Sequence, residues 1–192
     1  MEKEANLNPY IDKLNRKIDL SMEEATSAMS IIMSADVSDF QKAAFLTALQ
    51  AKGPTTEEIA SFAFTIRQIA RQVETKDIKK DKALADTCGT GGGAIETFNV
   101  STTSMFILSA SGMAVAKHGN RAITSKCGSA DVLEELGVNI KMEPEKASRC
   151  LAEIDIAFFF APLYHGAFKN IQKVRREIGI PTVFNILGPL VN

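Results

Sequence analysis

Apolar residues recur at helical spacing through the first third of the chain. Ile11, Leu14 and Ile18 fall on one side of a first helix. Ser21 followed by Glu24 has the spacing of a capping box, and Ala25, Met29, Ile32 and Met33 continue one apolar face. Phe40, Ala43, Ala44, Ala48 and Leu49 form a third stripe. Gly53-Pro54 stops it, because glycine closes a helix and proline cannot continue one. Thr55 with Glu58 is a second capping box, opening a stripe of Ile59, Phe62, Ala63, Ile66 and Ile69. Residues 7–73 therefore predict four amphipathic helices packed through these faces, a unit that also has surface with which to dimerise.

The pattern changes after the polar, charge-mixed run Thr75–Lys82, which reads as a solvated linker or hinge. Short apolar runs then alternate with helical stretches. Residues 83–85 precede the helical pattern 103–111, and 113–116 follow it. Residues 132–136 precede 138–140, and 147–154 precede 157–160. This alternation predicts βαβ units and a mainly parallel sheet. Phe158, Phe159 and Phe160 suit a strand covered on both faces. The fold class is α/β, with a small helical domain over residues 1–74 and an α/β domain over 75–192. Residues 184–192 read as a glycine-proline turn followed by an abrupt stop without a solvated tail, so the chain reads as cut short.

Bulk properties narrow the function. Lys and Arg number 22 against 23 Asp and Glu, a net charge of −1, so any anion site must be local. No aromatic residues interleave the basic ones, which argues against a nucleic-acid partner. No apolar run is long enough to span a bilayer, and the first residues hold no signal-peptide core. Cys88, Cys127 and Cys150 lack metal-type spacing, which fits a reduced cytoplasmic setting.

Two segments carry candidate chemistry. Gly89, Gly91, Gly92 and Gly93 fall within five residues, between an apolar strand candidate and a helical pattern. Glycines let backbone N–H groups approach a ligand, and Asn99, Ser101 and Thr102 are residue types that cap helices. A helix start of this kind attracts phosphate. The second segment, 116–131, contains Lys117, His118, Gly119, Asn120, Arg121, Lys126, Gly128 and Ser129 directly after another strand candidate. Loops at adjacent strand ends are where parallel sheets hold ligands, and two such loops would grip a polyphosphate between them. Taken alone, the same residues also suit a tight turn and a basic surface loop.

Together the segments identify a resemblance. Residues 89–92 (GTGG), 98–102 (FNVST), 115–121 (VAKHGNR), 128–131 (GSAD), 160–162 (FAP), Tyr164-His165, Val174-Arg175 and 184–190 (FNILGPL) resemble the anthranilate phosphoribosyltransferases of tryptophan biosynthesis. The resemblance implies a helical domain forming a homodimer and an α/β domain of the nucleoside phosphorylase/phosphoribosyltransferase type. It implies attack of the anthranilate amine on C1 of phosphoribosyl pyrophosphate (PRPP), with Mg²⁺-bound pyrophosphate leaving. By similarity, Gly89 touches both substrates. Gly92, Gly93, Thr97, Asn99, Val100, Ser101 and Thr102 hold PRPP, with the Ser101 hydroxyl reaching Mg²⁺. Lys117, His118, Gly119, Asn120, Arg121, Ala122, Ile123, Thr124, Ser125 and Ser129 complete the phosphate site. Asn120 and Arg175 face anthranilate, and Lys117, Asn120 and Arg175 supply positioning and electrostatics. His118 reads either as a base or as a ring packed inside its loop, and His165 as structural. A pyrimidine nucleoside phosphorylase, or a non-catalytic dimeric fragment that binds anions, are the competing readings.

Two departures from the family pattern matter. The family's Asp-Glu metal pair and its later strands have no counterpart within residues 1–192, so the chain alone is not expected to turn over. Gly93 stands where the family has Asp after Gly-Thr-Gly-Gly, which removes a carboxylate beside the phosphates and metal. In the intact parent, Gly93→Asp is predicted to change the Mg²⁺ dependence of the reaction; superimposable Mg²⁺ titrations of activity for the two forms would exclude this.

Overall fold

The computed structural model describes residues 5–75, 82–90, 98–122 and 127–192. The chain divides into two compact units, Met1–Ala70 with Ala167–Asn192, and Arg71–Gly166. Six residues of the predicted linker, 76–81, lie outside the described residues.

The first unit is helical. Its helices are α1 (Asn8–Asn15), α2 (Met22–Met33), α3 (Asp39–Lys52) and α4 (Thr56–Ile69), matching the four predicted stripes. Both capping boxes form: Ser21 with Glu24 at α2, and Thr55 with Glu58 at α4. Gly53 ends α3 at φ +85°, a backbone shape that L side chains rarely adopt. Four apolar positions depart from the predicted faces; one of them, Ala44, is an exposed alanine within α3. Helix α1 stops at Asn15, so Ile18 lies beyond it and is exposed. Phe40 and Ile69 are exposed at the ends of their helices, where the stripe runs out of neighbours to pack against.

Residues 167–192, read from the sequence as part of the α/β domain, have their apolar side chains packed with the helices. Ile171 and Val174 on α9 (Lys169–Ile178), with Phe184 and Leu187 on α10 (Phe184–Leu190), join one core with Met29, Ile32, Phe45 and Phe62. Buried Lys42 fastens this arrangement, its ammonium donating to the carbonyls of Ser34 at 2.8 Å and Asn170 at 2.9 Å. Asn170 Nδ2 in turn donates to the Met33 carbonyl at 2.8 Å. The expected glycine-proline turn at 188–189 is helical, with Pro189 in the last turn of α10. There its missing N–H costs at most one bond near a helix end.

The second unit is a parallel sheet between helices. Strands β1 (Leu84–Ala85), β2 (Ala114–Gly119) and β3 (Ile156–Phe160) lie in the order β1-β2-β3. Helix α5 (Val100–Ala110) connects β1 to β2, and α6 (Ser129–Glu135) and α7 (Pro144–Ile154) connect β2 to β3. Alternate residues face opposite sides. Val115 and Phe158 pack with Met105, Ala130 and Leu133 beneath α5 and α6. Ala114, Ala157 and Phe159 pack with Ala147 and Leu151 of α7. The triple phenylalanine is thus a strand buried on both faces. The expected strand at Val138–Ile140 does not form; Ile140 plugs the α5–α6 core from an irregular segment just before α7. Short helix α8 (Ala161–Tyr164) follows β3.

Buried charge is concentrated at the start of α4. The Glu58 carboxylate, fully buried, accepts from the N–H groups of Leu20 and Thr55 and from the Lys52 ammonium at 2.8–2.9 Å. Lys52 also reaches Asp19 at 2.6 Å. Burial alone would lower the Lys52 ammonium's pKa, but Asp19 and Glu58 outweigh it and raise the group. Glu58→Ala leaves two buried N–H groups without their acceptor and removes one of the partners of Lys52, and is predicted to cost about 3–5 kcal/mol in urea unfolding.

Candidate anion site at the strand ends

The carboxyl ends of β1 and β2 carry most of the described polar residues predicted for the site. Asp86 directly follows β1. Its Oδ1 accepts from the N–H of Cys88 at 2.8 Å and of His118 at 3.3 Å, and its Oδ2 lies 3.1 Å from His118 Nδ1. Thr87 donates its hydroxyl to the Ser101 carbonyl at 2.8 Å, tying the same loop to α5. The two strand ends are therefore joined by direct hydrogen bonds, as the two-loop reading requires. Sequence reasoning gave Asp86 no role, although an acid set between a strand and a glycine cluster was the available signal.

Lys117 lies near the end of β2 on the α5 side, opposite Phe158. It is 1% exposed, and its ammonium sits 3.3 Å from Ser101 Oγ and 3.4 Å from the His118 carbonyl. Burial pulls its pKa down, and Asp86 and Cys88 act in the opposite direction. Ser101 and Thr102 lie in the first turn of α5, where helical N–H groups have no intrahelical acceptor. Thr102 donates to Ser129 Oγ at 2.9 Å, linking α5 to the start of α6. Asn99 is the N-cap residue of α5, but its side chain makes no cap bond. A buried cation, a hydroxyl and a helix N-terminus beside each other form an arrangement suited to an oxyanion.

The described residues that flank the loop after β2 are tied to α6. The Asp131 carboxylate accepts from the N–H groups of Ala122 and Gly128 at 2.9 and 2.8 Å. Arg121 is engaged by Asp131 at 3.1 Å and Glu134 at 2.7 Å, with its guanidinium 5.9 Å from the Phe160 ring centroid. Asn120 Oδ1 accepts from Arg121 N–H at 2.8 Å. Two glycines are there for space: a Cβ on Gly128 would meet the Ala122 nitrogen at 2.4 Å, and one on Gly119 would meet the Phe158 ring at 2.6 Å. Gly89 lies exposed in the β1 loop. Gly92, Gly93, Thr97, Ile123, Thr124 and Ser125 lie outside the described residues, as does Gly91.

Family comparisons match this geometry. Residues 81–192 match the glycosyl transferase family a/b domain, and residues 8–70 match its helical bundle domain. The chain belongs to the glycosyl transferase family. Similar proteins include the anthranilate phosphoribosyltransferase of Persephonella marina, 47% identical over 97% of this chain and 54% of the relative. That of Desulforamulus reducens is 52% identical over 95% of this chain and 52% of the relative. The solved anthranilate phosphoribosyltransferase of Thermus thermophilus superimposes with a TM-score of 0.81 at 38% identity, covering 98% of this chain and 55% of the other. The Saccharomyces cerevisiae enzyme in complex with PRPP and Mg gives 0.83 at 31% identity, covering 98% and 55%. The chain spans about half the length of the curated relatives it matches.

Within this glycosyl transferase chain, the donor set near Ser101 tests how a magnesium ion fits. The hydroxyl has an ammonium for a neighbour, and among the described residues no three His, Cys, Asp or Glu side chains gather as a metal cluster. Magnesium demands about six oxygens and keeps several waters. Among the described residues the donors near Ser101 do not by themselves make such a site. Arg175 belongs to the helical unit, half-buried on α9 with its guanidinium 5.3 Å from the Phe184 ring centroid. Burial lowers its pKa, so it is not the solvated helix arginine that its sequence neighbours imply.

His118 stacks on Phe159 at 5.1 Å between ring centroids, and His165 lies 6.2 Å away. Burial, with the His118 charge adding to it, pushes His165 down to about 4. The unfolded chain takes up this proton near pH 6.5, whereas the folded chain does not. Stability is thus predicted to fall as pH drops from about 6.5 towards 4, by roughly 3 kcal/mol. His165→Gln should flatten that slope in urea midpoints measured between pH 7 and 4.5.

Proposed function

We propose that this chain supplies the PRPP-gripping segments of an anthranilate phosphoribosyltransferase, the reaction that yields N-(5-phosphoribosyl)anthranilate and pyrophosphate in tryptophan biosynthesis. The observation that carries the reading is the Lys117 ammonium, buried beside Ser101 at the junction of two strand ends. The solved yeast relative described with PRPP and Mg, and another with 4-fluoroanthranilate, support the choice of substrates.

The chemistry follows from charge. As the C1–oxygen bond of PRPP breaks, the ring carbon gains oxocarbenium character and the departing pyrophosphate gathers negative charge. Lys117 and the first-turn N–H groups of α5 are preorganised donors for that charge and need no reorientation as it develops. Magnesium bound with the pyrophosphate would neutralise part of the same charge, with Ser101 as its protein ligand. The arylamine of anthranilate is neutral near pH 7, so its activation demands little; positioning supplies much of the acceleration. Asn120 and Arg175 are the residues proposed to face anthranilate, the guanidinium suiting its carboxylate.

The reading extends to a homodimer through the helical domain and a cytoplasmic setting. Support for the first is apolar surface left on α3 and α4, where Phe40 is 88% and Phe64 60% exposed. Support for the second is that Cys88, Cys127 and Cys150 are free. Among the described residues no helix is long and apolar enough to cross a membrane.

Calorimetric titration with Mg²⁺·PRPP tests the reading. The chain is expected to bind, and Lys117→Met to weaken binding roughly tenfold or more, the cost of losing a charge-assisted contact. Equal affinity in the two forms would refute the assignment of Lys117. The purified chain is expected to bind PRPP without measurable transfer to anthranilate; robust turnover by residues 1–192 would show that nothing essential lies elsewhere.

A further inference from the structure

The Asp86–His118 contact does more than join two loops. Asp86 uses its two oxygens differently. Oδ1 accepts two backbone N–H groups, those of Cys88 and His118, while Oδ2 faces the imidazole Nδ1 at 3.1 Å. An ionised carboxylate only accepts hydrogen bonds, so the nitrogen facing it must carry a proton. Hydrogen bonds to the His118 side, together with Cys88 N–H, outweigh the burial that would raise the Asp86 carboxyl, and hold it below the usual carboxylate range. The ring itself has little room to turn: it lies at 22° to Phe159, with Tyr164 edge-on at 6.3 Å and His165 at 6.2 Å.

We propose that Asp86 is a positioning residue of the site: it locks a proton on His118 Nδ1 and so leaves Nε2 as the ring nitrogen that gains, loses or shares a proton with a ligand. The partner of a histidine nitrogen sets the tautomer of the whole ring, here as in other carboxylate–imidazole pairs. The same carboxylate favours the charged form of buried Lys117, so one side chain serves both the cation and the imidazole. The inference rests on the phosphoribosyl-transfer reading only for the identity of the ligand that meets Nε2.

Asp86→Asn separates this role from simple structural support. The two backbone N–H groups keep the amide oxygen in the Oδ1 position, which puts the amide NH₂ against Nδ1. An NH₂ donates, so the His118 proton is expected to move from Nδ1 to Nε2. The chain has two histidines, so ¹⁵N-histidine labelling with long-range ¹H–¹⁵N correlation at pH 8 reads the tautomer directly, and His118→Gln assigns the signals. The expected result is an Nδ1–H ring in the native chain and an Nε2–H ring in Asp86→Asn. A native His118 in the Nε2–H form, or a variant that keeps Nδ1–H, overturns the proposal. The native spectrum alone carries this test should the variant not fold. A loss of stability would accompany any structural role, whereas a tautomer exchange would not. Failure of the native chain to bind Mg²⁺·PRPP would count against the proposed reaction and leave the tautomer result as it stands.

Discussion

A lysine ammonium almost fully shut away from water is the constraint around which the sheet unit is arranged. A buried charge without partners costs far more than a fold of this size can spare. Lys117 is tolerable because the Ser101 hydroxyl and the His118 carbonyl stand at 3.3 and 3.4 Å and the Asp86 carboxylate lies close enough to act on it. Both contacts are long for an ammonium. Burial also makes the charge strong towards an anion, because little water screens it.

The surrounding sequence can be understood as support for that arrangement. Asp86 and Thr87 tie the β1 loop to β2 and to α5, and the Thr102–Ser129 bond ties α5 to α6. Asp131 caps the loop after β2 by accepting two backbone N–H groups, while Arg121 is braced by two carboxylates. Gly119 and Gly128 permit approaches that no side chain would allow. The helical unit meets the same burial problem with other residues. Its buried Lys42 is satisfied by two carbonyls, and its buried Glu58 by an ammonium and two N–H groups. Lys42 serves to hold α9, the helix that carries Arg175, through the Asn170 carbonyl.

Much of this was legible in the chain as written. Helical spacing, both capping boxes and the glycine stop after α3 are local signals, and local signals survive folding because they depend on residues within a turn of one another. The strand alternation around Val115 and the phenylalanine run likewise reflects period-two packing. The family motifs marked residues 89–92 and 115–121. Where the reading missed, the missing information was long-range. Ile18 and Phe40 fit a helical stripe but found nothing to pack against. Val138–Ile140 has strand-like composition but no neighbouring strand to pair with, and burying Ile140 satisfied it more simply.

By itself the sequence determined which segments become helices and strands and that the sheet is parallel, since each follows from residues close together along the chain. Only the tertiary structure decided that residues 167–192 pack with the helices, that Lys117 is buried rather than a solvated point charge, and that Asp86 is the acid facing His118. Those facts depend on pairs separated by 16 to 137 residues. No periodicity reports such distances, because they are set by how whole elements stack and not by the order of neighbours.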